Sequence, residues 1–265
     1  SDVCSSDLLL SAAKFDQNYN SQYSYIAKVG YPMGMMYGFI YEGTYKYEDF
    51  DKVGDTYTLK RNVPYFSSES NTQPGMPKYA DLNGDGIIDD NDRTMIGNGM
   101  PKHTGGFTNN FEYKGFDLSI FFQWSYGNDV LNANRLFFEN SNKTRDLNQY
   151  ASYADRWTPE NPESNIPRAT DSGSNKVFST RIIEDGSFLR LKTVSLGYTL
   201  PKQLTKKWKI DNARVFVAGQ NLWTCTGYSG YDPEVSIREG ALTPGLDFSA
   251  YPRAYSISFG INLGF

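Results

Sequence analysis

The run Asp81-Leu82-Asn83-Gly84-Asp85-Gly86-Ile87-Ile88-Asp89-Asp90-Asn91-Asp92 carries the most specific chemical pattern in the sequence. Oxygen side chains stand at loop positions 1, 3, 5, 9 and 12 and glycine at position 6, the spacing of an EF-hand calcium loop. Asp81, Asn83, Asp85, Asp89 and Asp92 are the expected side-chain ligands, with the Ile87 carbonyl at position 7. A Ca2+ ion there would be structural and would stiffen the loop, because no neighbouring group is poised for hydrolysis. The pattern departs from an EF-hand in two ways. Position 12 is Asp92 rather than the longer Glu, and residues 93–99 include Gly97 and Gly99 instead of an exit helix. An Asp/Asn/Gly turn without an ion is the competing reading.

Catalytic patterns are missing. The single histidine, His103, is the one candidate base for a Ser-His-Asp arrangement, and its place just before a strand marks a loop residue. No spacing of Asp and Glu singles out a pair for acid/base work on a sugar. Trp157, within Asp155 to Pro162, reads as a packed loop anchor before a sugar-stacking platform. The chain is expected not to be an enzyme.

These residues sit among segments that alternate like half-buried strands. Met35, Tyr37, Phe39, Tyr41 and Tyr45 would share one face, opposite Gly38, Glu42, Thr44 and Lys46. Around a turn at Lys114-Gly115, Phe107, Phe111 and Tyr113 are followed by Leu118, Ile120, Phe122, Trp124 and Tyr126, which reads as a hairpin. Val194, Leu196, Tyr198 and Leu200 alternate with Thr193, Ser195, Gly197 and Thr199, and Pro201 closes the strand. Residues 214–222 are strand-like but mixed, and their faces are left open. In the last run Tyr255, Ile257, Phe259, Ile261, Leu263 and Phe265 oppose Ser256, Ser258, Gly260, Asn262 and Gly264. One apolar face against a small, polar one suits a lipid-facing wall around a wet lumen.

Composition agrees with strands: the 265 residues include 20 Tyr, 17 Phe and 24 Gly, with 39% hydrophobic residues. A net charge of -4 with scattered basic residues excludes a phosphate-tracking stripe, so nucleic acid is not an expected partner. No run approaches the ~18 apolar residues of a spanning helix, but barrel strands need only ~10 with every second one apolar. A mean hydropathy of -0.56 is compatible with that. Cys4 and Cys225 give neither a disulfide framework nor a zinc pattern. Asp49 to Lys102 and Asn128 to Asp185, rich in Asn, Asp, Ser, Gly and Pro, read as long outer loops, with Val130 to Asn140 expected to form a short helix. The fold class expected is all-β: the C-terminal part of an antiparallel transmembrane β-barrel. A soluble sandwich would bury the same apolar face against a second sheet.

A set of segments, in order, resembles the SusC/RagA group of TonB-linked outer-membrane transporters. They are Tyr79 to Gly86 with Asp92-Arg93 and Ile96-Gly97, Asp155 to Pro162, Ile166-Pro167-Arg168, and Asp185 to Lys192. Leu196 to Pro201, Gln220-Asn221-Leu222, Gly230 to Glu234 and Tyr251-Pro252-Arg253 follow. The resemblance runs from about Tyr31 to Phe265. It implies a barrel of about 22 strands plugged by an N-terminal domain. It also implies import of oligosaccharides or peptides, with a SusD-like surface lipoprotein as partner and energy relayed by TonB. It gives no substrate-contacting residue. The plug, the TonB box and the first half of the barrel are expected to lie outside this chain. Residues 1–8 lack an export signal and read as a non-native scar, leaving 9–265 as receptor barrel. The alternative is a secreted calcium-binding β-sandwich that attaches to glycans.

Overall fold

A computed structural model describes residues 9–14, 23–140, 148–170, 177–237, 240 and 242–265; the expected scar at 1–8 lies outside them. The chain divides into two compact units. One comprises residues 1–100, 129–184 and 236–250, the other 101–128, 185–235 and 251–265.

The second unit is a five-stranded antiparallel meander: β1 (His103–Tyr113), β2 (Phe116–Tyr126), β3 (Phe188–Thr199), β4 (Asn212–Thr226) and β5 (Ser256–Gly264). These strands have 9 to 15 residues, enough to cross a bilayer when tilted. The hairpin of β1 and β2 forms in the expected register, Phe107 opposite Phe122 and Phe111 opposite Leu118. Its turn holds Lys114 and Gly115 at positive φ, 48° and 89°. That is the left-handed pair a two-residue hairpin turn requires.

Register settles the faces of the mixed segment. Val215 and Val217 lie opposite Tyr198 and Leu196 on one side and Ile261 and Phe259 on the other, so they belong to the apolar face. Arg214, Phe216 and Ala218 take the polar face. Alternation fails in two places because the ladder is irregular there. β3 carries an extra residue between Leu191 and Thr193 relative to β2, and β4 shifts between Gln220 and Trp223 with Asn221 at φ 52°. Each bulge restores the apolar face beyond it, with Leu189 and Leu191 meeting Trp124 and Phe122.

Among its described residues the first unit packs around three cores rather than forming open loops. One core gathers Tyr25, Met36, Leu131, Leu136, Phe137, Phe178, Ile182 and Leu246. Phe39, Tyr79, Ile88 and Val177 form a second core, and Tyr45, Phe50 and Leu59 a third. The expected strand from Met35 to Lys46 is corrected here. It is two short strands, Met35–Gly38 and Tyr41–Thr44, with different partners: Thr94–Asn98 and Pro77–Tyr79. Between them Phe39 joins Phe178 and Thr180 through backbone hydrogen bonds. Because each half packs on its own core, Met36 and Gly38 are buried instead of Met35 and Tyr37. The helix expected from Val130 to Asn140 forms only over one turn, Asn134–Phe138; its first residues belong instead to a strand, Asp129–Asn132.

Candidate functional site

The meander presents two chemically different faces. Phe107, Phe111, Phe116, Leu196, Val215, Ile257, Phe259 and Ile261 are all exposed, on the side that register makes continuous across five strands. So large an apolar surface is foreign to water and marks contact with lipid or protein. In a sandwich it would be covered.

The opposite face is polar and carries fixed charge. Arg214 on β4 reaches across β3 to Asp117 on β2, donating from Nε at 2.9 Å and from a terminal nitrogen at 2.5 Å. The bridge crosses over Gly197, where any Cβ would strike the Arg214 guanidinium and the Asp117 carboxylate. Glycines elsewhere on the sheet lie under aromatic rings, Gly105 beneath Trp124 and Gly260 beneath Phe216. The rings supply the packing those glycines lack.

Near the start of β3 on the same polar face, Arg190 is 2% exposed. It donates to Asp232 at 2.5 Å, Glu234 at 3.1 Å and the Thr224 hydroxyl at 3.1 Å. Asp232 accepts in turn from the backbone N–H groups of Glu234 and Arg253, while Glu234 pairs with Lys192 and Arg253. Burial opposes the Asp232 charge, but those hydrogen bonds and the guanidinium hold its carboxyl below the ordinary range. The network ties the segment after β4 to the wall. Sequence reading missed both charge groups, although Arg190, Asp232, Glu234 and Arg253 fall in segments that carried the resemblance.

The acidic loop lies in the other unit, anchored by Tyr79 and Ile88 in the second core. Its side chains fasten its own backbone. Asp81 accepts from Gly84 at 2.7 Å and Gly86 at 2.8 Å, Asn83 from Asp85, Asp85 from Ile87 and Asp89 from Asn91. Asp92 is fully buried and accepts from the N–H groups of Leu82, Asn83 and Asp89, closing the two ends of the loop on each other. Burial works to raise its pKa; the three backbone donors outweigh it and hold the carboxyl below its usual range. Among the described residues no three His, Cys, Asp or Glu side chains are gathered as ligands around one point.

His103 is the first residue of β1, where its Nδ1 accepts the Trp124 indole N–H at 3.1 Å and its ring stacks on Tyr126. Trp157 is buried against Gly75, beside Tyr47 and under the Arg168 guanidinium. A loop anchor is what its position makes it.

No family model matches the chain. It is similar to TonB-dependent receptor P3 of Formosa agariphila, 34% identical over 91% of this chain and 23% of the relative. TonB-dependent receptor P26 of the same organism is 39% identical over 72% of this chain and 20% of the relative. TonB-dependent receptor SusC of Bacteroides thetaiotaomicron is 28% identical over 74% and 18%. The chain thus spans about a quarter or less of the length of these relatives. Among solved structures, that of the RagAB peptide transporter matches 91% of this chain and 24% of its own, with a TM-score of 0.69 and 26% identity. The RagAB peptide importer in its closed-closed state gives a TM-score of 0.65 at 28% identity, again over 91% of this chain and 24% of its own.

Proposed function

The chain is SusC/RagA-like TonB-dependent receptor sequence, a protein of the outer membrane, and we propose that it forms part of the wall of an energy-driven importer. The observation that carries this reading is the pair of faces on β1 to β5: an exposed, continuous apolar face outside and the charged, glycine-relieved face of Asp117, Arg214 and Arg190 inside. That is how a barrel parts lipid from a polar path. The relatives are named as receptors and transporters, in keeping with a part that performs no chemistry of its own.

The cargo in this proposal is an oligosaccharide or a peptide, a polar oligomer too large for passive pores. A SusD-like surface lipoprotein would deliver it, and TonB would act through a region of the receptor other than this chain. The similar RagAB structures are those of a peptide transporter, which supports the peptide alternative. Deleting the receptor gene in the parent bacterium and supplying oligosaccharides or peptides as sole nutrient tests the proposal. Growth is expected to fail on one of the two classes and to return with the intact gene. Undiminished growth on both would reject it.

We propose in addition that the loop from Asp81 to Asp92 holds a structural Ca2+, with Asp81, Asn83, Asp85, the Ile87 carbonyl, Asp89 and Asp92 as its oxygen set. Each carboxylate has about four lone-pair sites, so acceptance of backbone N–H groups leaves capacity for a cation. The spacing and the pinned backbone support this. Calorimetric titration of calcium into the full-length receptor is expected to give heat that Asp85→Ala removes; absence of heat, or heat unchanged in the variant, would reject the site.

A further inference from the structure

We infer that the connection between β3 and β4, residues 200–211, is a docking surface for anionic phospholipid headgroups at the periplasmic boundary of the outer membrane. This rests on the reading of the apolar face as lipid-facing.

The connection is Leu200-Pro201-Lys202-Gln203-Leu204-Thr205-Lys206-Lys207-Trp208-Lys209-Ile210-Asp211. Four lysines fall within eight residues, a local exception to the scatter of basic residues in a chain whose net charge is -4. All four are exposed, and none has a carboxylate within ion-pair distance among the described residues. Between them Leu204 is 47% and Trp208 62% exposed. A solvated charged turn accounts for the lysines but not for an indole left in water. A surface that takes an amphipathic ring and several ammonium groups together is a membrane interface.

The connection is also held in shape. Lys202–Thr205 and Lys206–Trp208 are successive short helical turns, and buried Thr205 accepts the Ile210 N–H at its carbonyl. The ends are fixed to the wall, Leu200 by the Ala213 carbonyl and Asp211 by that of Gly264.

Its place along the wall selects the partner. The hairpin turn at Lys114 and Gly115 and the 200–211 connection close one end of the sheet, whereas the other end gives rise to 127–187 and 227–255. In outer-membrane barrels the short connections are periplasmic. At this end Tyr113 and Phe116 are exposed, Phe116 lies 4.5 Å from Tyr198 between ring centroids, and Lys114 sits over Tyr113. The apolar face therefore carries aromatic rings at this end, and the lysine-rich connection closes the same end of the sheet. Positive charge just beyond an apolar belt attracts anionic headgroups within a Debye length.

The test uses the full-length receptor in phosphatidylcholine vesicles carrying equal fractions of brominated phosphatidylcholine or brominated phosphatidylglycerol. Quenching at Trp208 and at Trp124 is isolated by subtracting the signals of Trp208→Phe and Trp124→Phe. Trp208 is expected to be quenched about threefold more efficiently by the anionic lipid, and Trp124 equally by both. In Lys202→Gln/Lys206→Gln/Lys207→Gln/Lys209→Gln the preference at Trp208 should vanish. About 1 M salt, which shortens the Debye length to about 3 Å, should abolish it in the unaltered protein, so the outcome does not depend on the variant folding. Equal quenching of Trp208 by both lipids, with Trp124 still quenched, overturns the headgroup site and leaves the lipid-facing wall intact. If neither tryptophan is quenched, both fall.

Discussion

Asp92 and Arg190 are charged side chains held out of water, and each is supported by groups that only the folded chain brings to it. Three N–H groups converge on Asp92, so Asp92→Ala is expected to destabilise the loop by about 2–4 kcal/mol by leaving them without an acceptor. Hydrogen exchange at the Leu82, Asn83 and Asp89 amides would report it. The folded pKa of Asp92 lies below its unfolded value. In calcium-free protein its stabilisation is therefore complete above about pH 4 and is lost as pH falls through the depressed value. Asp92→Asn should remove that acid dependence. Arg190→Ala leaves Asp232 buried without its cation, at an expected cost of about 3–5 kcal/mol, seen as faster exchange at the Glu234 and Arg253 amides. The Asp/Asn/Gly turn from Asp81 to Asp92 was legible because its residues and contacts are local. The bridge from Asp117 to Arg214 was not, because those residues are 97 apart and meet only through the register of β2, β3 and β4. The same holds for Arg190 and Asp232.

At the scale of the element, strands announce themselves when their two faces differ and their ladder is regular. The hairpin of β1 and β2 meets both conditions, and its faces and turn follow from period-two alternation. β4 meets neither: Phe216 lies on its polar face over Gly260, and its ladder shifts at Asn221. The segment from Met35 to Lys46 alternates convincingly but serves two sheets, so its periodicity described no single surface. Lipid contact makes a sharper demand on β2. Ile120, in mid-strand between Asn109 and Val194, faces the expected bilayer core. Ile120→Arg is expected to cost about 2–4 kcal/mol and Tyr126→Arg, near the boundary, about 0–1 kcal/mol. Urea unfolding of the receptor in phospholipid vesicles measures both. Equal costs would place the two residues in one environment.

For the whole molecule, chain order and register divide the labour. The five wall strands are interrupted twice, by 127–187 and 227–255, and residues 129–184 and 236–250 within these connections belong to the folded first unit together with residues that precede β1. Long polar intervals therefore do more than link strands: they supply Leu131, Phe178, Ile182 and Leu246 to a core with Tyr25 and Met36. Sequence polarity concealed that, because the apolar residues involved are few and far apart. The central claim is that one face of the wall meets lipid and the other a polar path. Single cysteines from Asp117 to Trp124, placed one at a time in the full-length receptor with its native cysteines, Cys225 among them, replaced by Ser, test it in isolated outer membranes. With a membrane-impermeant maleimide, positions 117, 119, 121 and 123 are expected to label and 118, 120, 122 and 124 to be protected. Labelling that ignores this alternation would contradict the account.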